Sequence, residues 1–203
     1  MKARMLSSIV MGLAIGVLFT AQARSEEQPQ MSKEMQEQLA KMKEFGTPGA
    51  EHAILKTFEG NWNVSSRSWM KPGDKEQQST GTSSMTWVLG GRFLRQDYKG
   101  DWGGQTFEGF GFVGYDKMKK EYVSVWLDNV STSIFHSSGQ YDAATKTIKD
   151  SGTFSCPMTG KKDEWFRAEW KIVSNDEHVY SMFMKDPEGK EFKMMEMTYK
   201  RAI

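Results

Sequence analysis

Cysteine is nearly absent from this sequence. Cys156 is the only one in 203 residues, so no internal disulfide can form. It lies in T-F-S-C-P-M-T-G with no base or metal ligand beside it, which reads as a small buried hydrophobe rather than a reactive thiol. Histidine is scarce as well. His52, His136 and His178 show neither H-x-H nor H-E-x-x-H spacing, so the sequence gives no support for a zinc site. The G-x-S-x-G elbow that presents a nucleophilic serine is missing. An excess of one charge is missing too: 27 basic residues stand against 26 acidic ones, with none of the basic surplus usual in nucleic-acid binders. Long hydrophobic runs are also lacking. The apolar stretch from Leu6 to Phe19 falls short of the roughly 20 residues that a membrane span needs.

That stretch has a different meaning. Lys2 and Arg4 precede it and Ala21-Gln22-Ala23 follows it, the pattern of a secretory signal peptide at 1–23. An exported protein, periplasmic or secreted and without a stable membrane span after cleavage, is expected. Removing the first 23 of 203 residues leaves 180, one domain of ordinary size, and loss of Lys2 and Arg4 brings the charge from +1 to −1. Residues 24–49 read as a polar linker, Arg24 to Gln30, and then an amphipathic helix. Met31, Met35, Leu39, Met42 and Phe45 recur at helical spacing, and Gly46 and Pro48 end the pattern. The expectation is that this stripe packs on the domain; use of the helix to form a homodimer is an alternative.

From about residue 50 the texture changes to short runs rich in Trp, Phe, Tyr, Val, Thr and Ser. Ten strands are predicted, at about 57–70, 78–89, 92–100, 105–115, 120–128, 132–141, 145–154, 164–173, 177–185 and 190–201. Turn signals separate them, among them K-P-G-D at 71–74, D-W-G-G at 101–104 and D-P-E-G at 186–189. The predicted fold is all-β: an antiparallel up-and-down barrel of about ten strands over 50–203.

Within this run Gly109, Gly111 and Gly114 have the G-x-G-x-x-G spacing of a dinucleotide-binding turn. That turn needs a helix after the glycines to meet the pyrophosphate. Here the next residues are D-K-M-K-K-E-Y-V-S-V-W-L-D, a turn and another alternating strand, so the nucleotide reading fails. Pairing Asp116 with Glu121 across Lys117–Lys120 sets Gly111 opposite Trp126 and Gly109 opposite Asp128. The missing side chains then make room for the indole. Which face of this hairpin points inward is left open.

Gly60-Asn61-Trp62, at the start of the first strand, resembles the calycin and lipocalin pattern. In that family the Trp plugs the barrel base and a basic residue of the last strand packs on it, which implies Lys200 or Arg201 here. V-L-G-G-R-F-L, Y-K-G, F-E-G-F-G-F-V-G-Y-D and Y-V-S-V-W-L-D-N-V-S-T are similar to the bacterial family DUF1579, over about Ala50 to Ile203. The resemblance implies a calycin-like barrel and a periplasmic address, and no established activity.

The function expected is a binding module for a small, mainly apolar ligand. Arg92, Tyr98, Gly111, Trp126, Asp128, Thr132 and His136 are the candidate ligand-binding residues, with Trp62 and Arg201 at the barrel base. No cofactor or metal is assigned. The alternatives are a hydrolase or isomerase using Asp128, His136 or Arg92, a haem barrel with His136 or His178 as proximal ligand, and a structural or interaction protein. Asp128 is also read as a carboxylate bonded to a turn and answering Arg92. Met182, Met184, Met194, Met195 and Met197 read as apolar lining rather than a copper site.

Overall fold

The computed structural model describes residues 31–203; the signal peptide and the polar linker expected from the sequence lie outside them. Helix α1 (Lys33–Gly46) is capped by Ser32, whose hydroxyl accepts from the Met35 N–H at 3.2 Å. A short helix α2 (Ala50–Leu55) and a 3-10 turn (Lys56–Phe58) lead into ten strands. These are β1 (Gly60–Ser68), β2 (Gln77–Val88), β3 (Phe93–Trp102), β4 (Gln105–Asp116), β5 (Glu121–Asp128), β6 (Phe135–Asp142), β7 (Thr147–Phe154), β8 (Glu164–Ser174), β9 (Glu177–Lys185) and β10 (Glu191–Arg201). Each pairs antiparallel with the next, and β10 returns to β1, so the sheet closes with no free edge.

The ten strands follow the predicted spans closely, with two shifts that have local causes. The run from 57 opens as a 3-10 turn, and β1 begins only at Gly60. The run from 132 starts as a strand at Phe135. Before it, the Asp128 carboxylate takes the N–H groups of Val130 and Ser131, and the Ser131 hydroxyl takes that of Ser133. Side chains have claimed the donors that a ladder would use. D-W-G-G turns between Trp102 and Gln105, which pair directly; Gly103 and Gly104 have φ of 61° and 80°, the left-handed geometry of a tight hairpin.

The β4–β5 hairpin has the expected register: Asp116 opposite Glu121, Gly111 opposite Trp126, Gly109 opposite Asp128. The glycine face is the inner one. Trp126, Val113 and Tyr115 pack on the buried core, whereas Phe110 is exposed on the outside beneath the Arg95 guanidinium, 5.3 Å from its ring. A Cβ on Gly109 would collide with Cζ2 of Trp126, and one on Gly111 with the Val125 carbonyl and, at 2.9 Å, Cε3 of Trp126. Gly111→Ala is therefore expected to cost about 1–3 kcal/mol in a urea denaturation curve; a change under about 0.5 kcal/mol, the ordinary surface value, would show that the indole does not need the gap.

The interior divides into two clusters. One, centred on Leu55, Phe58, Trp62, Met85, Leu94 and Tyr199, fills the end that α2 covers; the other joins Phe154, Cys156, Phe166, Ala168, Met182 and Met184. Cys156 is buried here as a packing residue. Met182 and Met184 face inward opposite Met195 and Phe192 on β10, as a lining would.

One expectation is corrected. The α1 stripe does not pack on the barrel: Met31, Met35, Leu39, Met42 and Phe45 are all exposed, and no α1 residue is buried. Leu55 and Phe58, at 0% and 2% exposure, already close the nearby barrel end, which leaves no apolar gap to receive it. Among the described residues its hydrogen bonds to the barrel are at its C-terminal end, where Lys117 Nζ donates to the carbonyls of Glu44 and Thr47 at 2.6 and 3.2 Å.

Candidate binding cavity

The two ends of the barrel differ in kind. At the closed end Trp62 is 1% exposed, its indole N–H donates to the Phe58 carbonyl at 2.9 Å, and the Arg201 guanidinium lies 4.3 Å from its ring. Arg201 in turn donates to the carbonyls of Glu59 and Asn175 and to the Asp176 carboxylate. Arg201, rather than Lys200, packs on the ring; Lys200 faces solvent. Below this plug His178 is fully buried among aromatic rings, stacked 4.3 Å from Tyr199 and edge-on to Trp62 at 4.4 Å and Phe58 at 5.0 Å. Neither ring nitrogen has a hydrogen-bond partner among the described residues. Burial, aided by Arg201, pulls its pKa down to about 3 and keeps the imidazole neutral.

Towards the other end the inward side chains change. Ser66, Ser79, Ser124, Trp126, Phe135, Ser137, Tyr180 and Met195 share the inner face and remain partly exposed, so solvent enters there. Serines pair across strands, Ser66 with Ser79 at 2.7 Å and Ser124 with Ser137 at 2.6 Å. Below them sits Asp150 of β7, flanked in the sheet by Gly139 and Ala168. It is 8% exposed, and its Oδ1 has no partner among the described residues. Desolvation pushes this carboxyl up to about 7, against a smaller opposing effect of the hydrogen bond from Ser137. Burial raises the Tyr180 phenol too, with the Asp150 charge adding to it. On the closed side of Asp150 lies a void of about 20 Å³ lined by Leu55, Phe58, Met85, Leu94, Ile148 and Trp170, among others, room for about one water.

The sequence-derived candidates separate on this frame. Tyr98, Gly111, Trp126 and Asp128 all belong to the inner face. Tyr98 lies over Gly81 and Gly100 as Trp126 lies over Gly109 and Gly111. Asp128 accepts from the Trp126 indole N–H at 3.2 Å while holding the turn that follows. Arg92 does not join them. It is exposed at the closed end of the barrel and donates to the Leu89 carbonyl at 2.9 Å, whereas Asp128 is at the open end, so the expected pairing of the two is corrected. Thr132 is exposed in the turn at the rim, and His136 faces outward and is exposed. Inward and outward residues alternate along a strand, and Phe135 and Ser137 take the inner positions on either side of it. An active site that joins Arg92, Asp128 and His136 has no common cavity.

The haem alternative fares no better with either histidine. A planar macrocycle on His178 would have to displace the stacked Tyr199 and Trp170. One on His136 would lie on the outer surface. Among the described residues no three of His, Cys, Asp and Glu cluster closely enough to hold a metal ion.

A larger concavity, about 850 Å³, is outside the barrel. It is an open saddle across the outward residues of β1 to β5, including Asn61, Thr82, Lys99, Glu108, Phe110 and Leu127. A ligand there would remain largely hydrated, and the Lys99–Glu108 ion pair crosses the floor. The interior, although narrower, is where burial and unpaired polarity coincide.

Asp150, Ser124, Ser137 and Tyr180 were not among the sequence candidates. The signal that could have found them is the alternation Ile148, Asp150, Gly152, Phe154, which puts a carboxylate in the apolar register of its strand.

Residues 47–201 match the family described as "Protein of unknown function (DUF1579)". Among solved structures, the chain is similar to the crystal structure of Rv2717c from M. tuberculosis, at 14% identity and a TM-score of 0.60, over 77% of this chain and 100% of that one. It is also similar to a redesigned beta barrel, b11L5F_LGL, at 12% identity and a TM-score of 0.38, over 74% and 96% of the two chains. A third is the redesigned barrel mFAP0 bound to DFHBI, at 14% identity and a TM-score of 0.38, over 71% and 99%. At 14% identity the likeness to Rv2717c speaks for the fold alone. No curated protein matches the sequence.

Proposed function

This chain belongs to the DUF1579 family, and we propose that it is an exported binding module that takes a small, mainly apolar molecule into the open end of its barrel. The observation that carries the reading is the contrast between the ends. Trp62, Arg201 and Phe58 close one, while partly exposed Trp126, Phe135, Tyr180 and Met195 line the other. Such a mixture of aromatic and thioether groups with a few hydroxyls is what apolar ligand sites use. Export is inferred from the residues before the described part: the basic, apolar and A-x-A sequence of 1–23. Self-association through α1 is inferred from the five exposed apolar residues of its stripe.

Native mass spectrometry tests both. The mass of the folded protein should exceed the denatured mass by a small molecule that is released on unfolding. Equal masses, together with no uptake of an added apolar probe, would remove the binding reading. The same spectrum counts chains, and a dimer that persists after deletion of residues 31–45 would remove the role given to α1.

A further inference from the structure

The geometry points to Asp150 as the polar anchor of this cavity, which makes the ligand an apolar molecule carrying one hydrogen-bond donor, such as a hydroxyl. The inference rests on the binding reading above and specifies the chemistry of its ligand.

Three observations converge on it. First, Asp150 is more than nine-tenths buried, yet one carboxyl oxygen has no partner among the described residues. Buried polar groups are paired in the great majority of cases, and an orphan costs the full desolvation of that group. An acceptor left open in this way is complementary to a donor that arrives from elsewhere.

Second, the neighbouring polar groups are already committed. Ser124 and Ser137 bond each other at 2.6 Å. Whichever hydroxyl donates in that pair, the two serines satisfy each other and Oδ1 of Asp150 stays without a partner among the described residues.

Third, the surroundings suit an apolar body. Gly139 and Ala168, paired beside Asp150, place almost no side chain over the carboxyl. Phe135, Phe154, Phe166 and Met182 pack as a cluster on the open-end side. A hydroxyl entering head-first would meet Oδ1 while its hydrocarbon met aromatic and methionine side chains. Asp150, rather than the turn-bound Asp128, is then the specificity-determining carboxyl. Asp128 spends both oxygens on the Trp126 indole and on the turn that follows.

The test compares 4-butylphenol with n-butylbenzene, which differ by one hydroxyl, by titration calorimetry on the purified protein. A site with a buried unpaired acceptor should prefer the phenol at least about tenfold. Asp150→Ala should erase that preference while leaving n-butylbenzene affinity within about threefold, since only the polar contact is removed. If that variant fails to fold, the wild-type carboxyl carbon resonance of Asp150 decides: it should shift on saturation with the phenol and stay in place with n-butylbenzene. Equal affinities in the wild type, a preference that survives Asp150→Ala, or an unmoved resonance under bound phenol would overturn the anchor and leave Oδ1 a site for one water. In those cases n-butylbenzene binding would still stand for the binding reading. Failure of both probes to bind would overturn the two together.

Discussion

Asp150→Asn is expected to make the folded protein more stable at pH 8, by about 2–3 kcal/mol. The native carboxyl titrates near 7, against 3.8 in an unfolded chain. A native pKa that is raised means the folded state holds the proton more tightly. Its stability is therefore full below about pH 4 and is lost as pH rises towards 7. Three pH units at 1.36 kcal/mol each amount to about 4 kcal/mol. The asparagine amide keeps the shape and can accept from Ser137, but it leaves an unpaired edge, which returns roughly 1–2 kcal/mol of that gain. The variant should therefore be about 1–2 kcal/mol less stable than the wild type at pH 4, overtake it as pH rises, and reach its plateau above pH 7. Urea denaturation at several pH values measures it, and an advantage independent of pH would show that Asp150 is not the titrating group.

His178 gives this experiment a second readout. Its native pKa of about 3 lies below the ordinary 6.5, so the unfolded state takes up a proton that the folded state refuses. Stability from this group is present above pH 6.5 and is lost as pH falls towards 3. Between about pH 4 and 6.5 the two groups act with opposite sign and similar slope, so the wild type should be nearly flat there. Asp150→Asn removes one of them and should unmask the acid sensitivity of the other.

The second large effect is at the closed end. Trp62→Ala should cost about 4 kcal/mol, in the range for removing a fully buried large aromatic. The loss combines an indole-sized cavity, the Phe58 carbonyl left without its donor, and an Arg201 guanidinium with no ring beneath it. Trp102→Ala is the matched control, because Trp102 is 45% exposed at a hairpin tip and should change stability by no more than about 0.5 kcal/mol. Comparable losses in the two variants would sink the assignment of Trp62 as the plug.

The barrel was legible in the sequence because closed antiparallel sheets are local: each strand pairs with the next, and each turn carries its own residues. Gly109 and Gly111 could be placed opposite Asp128 and Trp126 from hairpin register alone. Trp62 and Arg201, far apart in sequence, were brought together by resemblance and not by spacing. What the sequence hid was depth. Alternation separates two faces but does not say which is inward, so His136 and Asp150 look equally available, although one faces solvent and the other the interior. Position along the barrel axis was hidden as well, which is why Arg92 and Asp128 were joined when they occupy opposite ends. The α1 stripe shows the reverse limit, since periodicity marks an apolar face without saying that anything covers it.

Closure through β1 and β10 also bears on how the chain could be rewired. Asn61 and Ala202 are hydrogen-bonded neighbours at 2.8 Å, so the first and last strands begin and end side by side. A short covalent joint between them would leave the barrel continuous, and the chain could instead open at an exposed turn such as Asp186–Gly189. The order of strands around the wall, rather than the place where the polypeptide starts, is what this architecture requires.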